Sequence, residues 1–146
     1  MFPPLRKRRG FHKMIRMNKI PYKTAIKLKE IGFNEPCDHY YHIYDDELDS
    51  ELSLEATGND CSDFFNSLNK FRCAAPTINQ ISEWLRDNKN IFIIPYIADD
   101  TEKPLTYEIY NNTECILTHH GNYFSLNEWN KCILHAIDFI IDHKLI

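Results

Sequence analysis

Residues 73–97 read CAAPTINQISEWLRDNKNIFIIPYI. Three kinds of local order meet in this stretch. Pro76 marks a boundary, because a residue before proline is pushed out of the helical region. Thr77 then begins T-x-x-Q, in which the Thr77 hydroxyl can accept from the Gln80 backbone N–H while the Gln80 side chain reaches back to Thr77. Ile78, Ile81 and Leu85 recur at helical spacing with Trp84 beside them. Asn88-Lys89-Asn90 ends the helix. IFIIPYI follows, apolar at almost every position, and is predicted to be a buried strand whose Pro95 places it at an edge or a bulge.

The pattern extends in both directions. After the turn ADDTEKP, LTYEIY alternates cleanly, with Leu105, Tyr107 and Ile109 on one side and Thr106, Glu108 and Tyr110 on the other. An antiparallel hairpin with the preceding strand is expected. TECILTHHGNYF reads as a further short strand or a loop. Ser125 and Glu128 form S-x-x-E, with Phe124 and Trp129 spaced as a hydrophobic staple. Leu126, Trp129, Cys132, Ile133, Ala136, Ile137, Ile140 and Ile141 then trace one face of a closing helix.

Upstream, PYKTAIKLKEIGF predicts a first helix. Pro21 suits its first turn at N1, and Gly32 its left-handed C′ position, with Phe33 folding back on the last turn. Tyr22, Ala25 and Ile26 share a face, while Lys23, Lys27 and Lys29 form a solvated one. CDHYYHIY is rich in β-favouring aromatics and predicts a strand, with His39, Tyr41 and Ile43 facing one way and Tyr40, His42 and Tyr44 the other. DDELDS turns the chain, ELSLEA could pair back, and TGNDCSDFFNSLNKF reads as a loop with a helical turn. The resulting order is α-β-(β)-α-β-β-α. It predicts an α+β fold, a small antiparallel sheet with helices packed on it.

The 146 residues, 43% of them hydrophobic, suffice for one ordinary core. We expect a single domain over 19–146 and, before it, a basic arm over 1–18. Valine is absent while Ile, Asn and Lys abound, as in chains encoded by AT-rich genomes. The net charge of −4 conceals an asymmetry. Seven of the seventeen Lys and Arg lie in residues 1–19, with no acid among them; the other 127 residues carry ten bases and all 21 acids. Such a body repels phosphates, so nucleic acid is a candidate partner only through the arm, by Arg6, Lys7, Arg8 and Arg9. Pro3, Pro4 and Gly10 argue against one continuous helix there. Met14 and Met17 offer alternative starts, and the arm reads as a disordered tail or an upstream extension.

Five cysteines with no C-x-x-C favour reduced thiols over a disulfide framework or zinc ribbon, and so a cytoplasmic setting. No apolar run is long enough to span a membrane. Cys37-x-His39-x-x-His42 resembles a metal motif, but on a strand its members do not converge. No glycine-rich phosphate loop is present, and the carboxylate pairs at Asp45-Asp46-Glu47 and Asp99-Asp100 lack calcium-loop spacing. Cys115 with His119 or His120 is the one arrangement an enzyme could use. No catalytic residue, metal ligand or cofactor is therefore assigned. Trp84, Tyr40, His42 and Tyr44 are the candidate contacts for a protein partner, with core packing the alternative for Trp84.

Three pieces, AIKLKEIGFNEPC at 25–37, CAAPTINQISEWLR at 73–86 and FSLNEWNKCILHAI at 124–137, together resemble a group of small uncharacterised phage and prophage proteins of gut anaerobes. The likeness covers most of residues 19–146. It fades over 45–70, and Asn127-Glu128-Trp129 stands where the group often has Glu-Glu-Ala. It implies a mobile-element setting and a start near Met17, and it implies no activity. The expected function is non-enzymatic, through protein–protein contacts, with host modulation or anti-defence as one version. Nucleic-acid binding by the arm and an unrecognised Cys/His enzyme site are the alternatives.

Overall fold

A computed structural model describes residues 19–43, 55–56, 64–66, 71–98 and 101–146. The chain divides at Thr77/Ile78 into two compact units. The fold is α+β, and among the described residues all strand pairing is antiparallel. The strands fall into two three-stranded sheets, one in each unit.

The first unit begins with helix α1, Tyr22–Glu30. Pro21 sits one position earlier than expected, as the N-cap, in an extended conformation. Its carbonyl already accepts from the Ala25 N–H at 2.9 Å, so the helix starts without the missing proline donor. The other end follows the expected pattern. Gly32 takes φ +93°, the Gly32 N–H donates to the Lys29 carbonyl at 3.2 Å, and the Phe33 N–H donates to the Leu28 carbonyl at 2.9 Å. Both bonds of a Schellman motif are present, and Phe33 and Leu28 are buried together with it.

Strand β1, His39–His42, is the middle strand of the first sheet. It pairs on one side with β2, Glu55–Ala56, the short strand foreseen in ELSLEA, and on the other with β3, Arg72–Ala74. Strand β3 was not foreseen, since Pro76 so near its end masks three extended residues as a loop. It changes the reading of the lysine face. The Lys29 ammonium does not simply point into water but donates to the Arg72 carbonyl at 2.6 Å. A second tie comes from the buried amide of Asn66, which donates to the Phe33 carbonyl at 2.7 Å and accepts from the Ala74 N–H at 2.7 Å.

The second unit opens with α2, Ile78–Lys89, where Ile78, Ile81, Trp84 and Leu85 are buried as the spacing predicts. Asn90, at φ +55°, ends it. Strands β4, Ile91–Ile97, β5, Leu105–Asn111, and β6, Glu114–Leu117, form a meander with β5 in the middle. Pro95 therefore stands on an edge strand, where its absent N–H costs no interior ladder bond. The strand is not buried throughout: Ile91 is covered, but Ile94 and Ile97 are 45% and 65% exposed.

After β6 the chain crosses to a 3-10 turn, Leu126–Glu128, and then helix α3, Trp129–Asp142. The Ser125 N–H donates to the Glu128 carboxylate at 3.0 Å, so the capping interaction read from S-x-x-E is made. Cys132, Ile133, Ala136, Ile137, Ile140 and Ile141 are buried on one face of α3. Trp129 does not belong to that stripe. It opens α3 and is 49% exposed, and Leu126 on the preceding 3-10 turn is 56% exposed.

Candidate functional site

The residues expected to meet a partner are placed unequally. Tyr40 is buried, stacked on Phe64 at 5.1 Å, with the His42 ring edge-on at 5.4 Å and the Arg72 guanidinium 4.9 Å from its ring centroid. Tyr40 and His42 do share one face of β1, but that face is spent on internal stacking. Trp84 is 8% exposed, and the Lys89 ammonium lies 5.6 Å from its ring centroid. Core packing is the role its position gives it. Tyr44 and the basic arm with Arg6, Lys7, Arg8 and Arg9 lie outside the described residues.

The metal and enzyme patterns are taken apart by the strands. Cys37 is buried and its thiol turns to the Glu35 carbonyl. His39 lies 2.9 Å from the Asp38 carboxylate. Burial alone would raise the pKa of Asp38, but the Lys19 hydrogen bond and the neighbouring His39 ring hold it down to about 2. Among the described residues no three His, Cys, Asp or Glu side chains gather as a metal site.

Cys115 and His120 turn to different partners on β5. The exposed Cys115 thiol turns to the Glu108 carboxylate and the Leu117 carbonyl. His120 stacks on Tyr107 at a centroid distance of 4.1 Å. Its Nε2 also lies 3.3 Å from the Thr106 hydroxyl, so the ring and the Cys115 thiol are each turned to other partners. His119, exposed at φ +53°, joins neither.

His120 instead belongs to a closed internal network. Its Nδ1 receives the Asn122 backbone N–H at 3.2 Å and lies 3.0 Å from the Asn122 side-chain amide. A backbone N–H only donates, so Nδ1 is the accepting nitrogen and Nε2 carries the proton to the Tyr107 carbonyl at 2.8 Å. The Thr106 hydroxyl donates to the Asn122 carbonyl at 2.8 Å. Every donor in this group has its acceptor, so it fixes the loop before α3.

The other face of the sheet is different in kind. Strand pairing sets Phe92 opposite Tyr110, Ile94 opposite Glu108, Tyr96 opposite Thr106, and Tyr110 opposite Cys115. These residues alternate with the buried Leu105, Tyr107 and Ile109, the face on which α3 packs through His135. They therefore point away from the core of their unit. Thr106 is covered, Phe92, Tyr96, Glu108 and Tyr110 are half-buried, and Ile94 and Cys115 are exposed. Ile116, the extra residue where the β5–β6 register shifts, is exposed as well.

Glu108 organises this face. Its carboxylate accepts from the Tyr110 hydroxyl, the Cys115 thiol lies within reach of it, and Tyr96 bonds to it and to Thr118. The Glu108 hydrogen bond, aided by burial, pushes Tyr110 up to about 12. Burial and the charge of Glu108 also raise Tyr96. Both phenols thus stay protonated and held. The face was half legible. The alternation in LTYEIY places Glu108 and Tyr110 together, but the unbroken apolar run of β4 hid that Phe92, Ile94 and Tyr96 stand beside them.

Compared with family models, curated proteins and solved structures, the chain has no match in any of the three. Among the described residues no helix is long and apolar enough to cross a membrane.

Proposed function

We propose that this chain acts through protein–protein contacts and that the contact surface is the outer face of the β4–β5–β6 sheet. The observation that carries the reading is the cluster Phe92, Ile94, Tyr96 and Tyr110 on the sheet face opposite the one on which α3 packs, with Ile94 exposed and the three aromatics half-buried. Aromatic and aliphatic side chains grouped in this way favour association, since covering them removes apolar area from water at about 25 cal/mol per Å². The likeness to phage and prophage proteins supports a mobile-element setting, in which a host protein would be the partner.

The test compares partner capture by the full chain and by Ile94→Asp. Ile94 is exposed, so the substitution leaves the fold intact while placing a charge in the middle of the face. Loss of a specifically captured protein supports the reading. Equal capture by both chains removes it.

A further inference from the structure

We infer that the partner presents a cationic side chain, arginine or lysine, to Glu108 on the outer face of the β4–β5–β6 sheet. The inference rests on the contact reading above and adds the chemistry of the ligand. Three observations lead to it.

The first is charge. The three strands read IFIIPYI, LTYEIYN and ECIL, and hold Glu108 and Glu114 but no Lys or Arg. Glu108 therefore has no cation from its own sheet. Its own unit, residues 78–146, has five Lys and Arg against ten Asp and Glu, so its net charge attracts cations and repels anions.

The second is the direction of the hydrogen bonds. The Tyr110 hydroxyl donates to the Glu108 carboxylate, the Cys115 thiol lies within reach of it and of the Leu117 carbonyl, and Tyr96 is bonded there too. The donors that could serve an anionic ligand are thus already turned to acceptors of the sheet. A carboxylate offers about four acceptor positions, so even three donors leave room for one more.

The third is the frame. Phe92 and Tyr110 form the adjoining cross-strand pair, Tyr96 lies one pair further on the other side, and Ile94 stands directly opposite Glu108. A guanidinium or ammonium at Glu108 would lie among aromatic rings, which attract cations through their π faces, and over apolar surface that accepts its methylene stem. A carboxylate flanked by aromatics suits a charged head on an apolar stem better than a wholly apolar partner, which would bury Glu108 unpaired.

The test uses two labelled peptides of identical length and apolar content, one carrying arginine and the other citrulline at the same positions. Citrulline keeps the shape and removes the charge. Fluorescence polarisation with the full chain is expected to show at least tenfold tighter binding of the arginine peptide, weakening as salt is raised. Glu108→Gln is expected to abolish the difference, and Glu108→Asp, which keeps the charge, to retain most of it. Circular dichroism of both variants controls for folding. Equal affinity for the two peptides, binding of neither, or discrimination that survives Glu108→Gln would overturn the inference. If it fails while Ile94→Asp still loses the captured partner, the contact surface stands and only its cationic ligand is wrong. If Ile94→Asp captures the partner unchanged, the surface itself is wrong.

Discussion

The hydroxyl of Tyr107 lies 2.8 Å from Nδ1 of His135, joining the middle strand of the second sheet to the closing helix. Tyr107 is fully buried, and burial pushes its phenol up to about 12. The His135 ring is shifted the other way: burial lowers its pKa, His120 adds to the effect, and Asp138 opposes it. The phenol is therefore the donor and the neutral imidazole the acceptor.

That arrangement gives a pH dependence of definite sign. An unfolded histidine takes up a proton near pH 6.5. The folded ring resists until a lower pH, so the unfolded state binds more protons in between. Stability held above about pH 6.5 is lost as the pH falls towards the folded value. Melting temperatures between pH 7.5 and 5.5 should fall for the wild type and fall less steeply for His135→Asn. Identical slopes would show that His135 titrates as it does in the unfolded chain.

The amide of Asn66 carries a second expectation. It serves two backbone groups in the first unit, donating to Phe33 and accepting from Ala74. Asn66→Ala leaves both without this partner in a buried place, at a cost of about 2 kcal/mol or more in urea unfolding. Asn66→Asp keeps the acceptor for Ala74 but sets a second oxygen against the Phe33 carbonyl. Protonating that carboxylate restores a donor, so its folded pKa is raised. The variant should recover relative to wild type as the pH falls towards the ordinary carboxylate range. A cost below about 0.5 kcal/mol for both variants would contradict the bridging role.

Thiol chemistry reports on the placement of the strands. Cys115 is exposed, whereas Cys37, Cys73 and Cys132 are buried. Burial also pushes Cys73 up to about 12 and Cys132 up to about 11, and the nearby Lys29 only partly offsets the shift at Cys73. Since the thiolate is the reactive form, iodoacetamide at pH 8 should, among the four described cysteines, label Cys115 well before the other three. Peptide mass mapping after short exposure checks the order. Early labelling of Cys73 or Cys132 would place them at the surface.

Elements whose periodicity matched their surroundings were legible in the sequence. The Gly32–Phe33 cap, the apolar stripe of α2 and the alternation of β5 each have a local cause, and each formed where its residues put it. What failed depended on information that no local window contains. IFIIPYI has the composition of a buried strand, but exposure depends on what packs against it, and Ile94 and Ile97 are exposed. Leu126 fits the α-helical stripe only if the helix is α from Ser125 onward, and a 3-10 turn changes its phase; Trp129 has the spacing of the stripe but opens the helix and is exposed. The candidate site shows the same division. Glu108 and Tyr110 were visibly on one side of their strand, but Phe92, Ile94 and Tyr96 joined them only through cross-strand register. Tyr40 was read as available when the non-local partners Phe64 and Arg72 occupy its ring.

The central claim is that the outer face of the β4–β5–β6 sheet is the surface used for contact. The most direct test places a photoreactive amino acid at Ile94 and, as a control, at Asn79, an exposed position on α2. Irradiation in cells producing the full chain should give a discrete crosslinked adduct from position 94 and none from position 79. An adduct from position 79, or no adduct from position 94, would contradict the account.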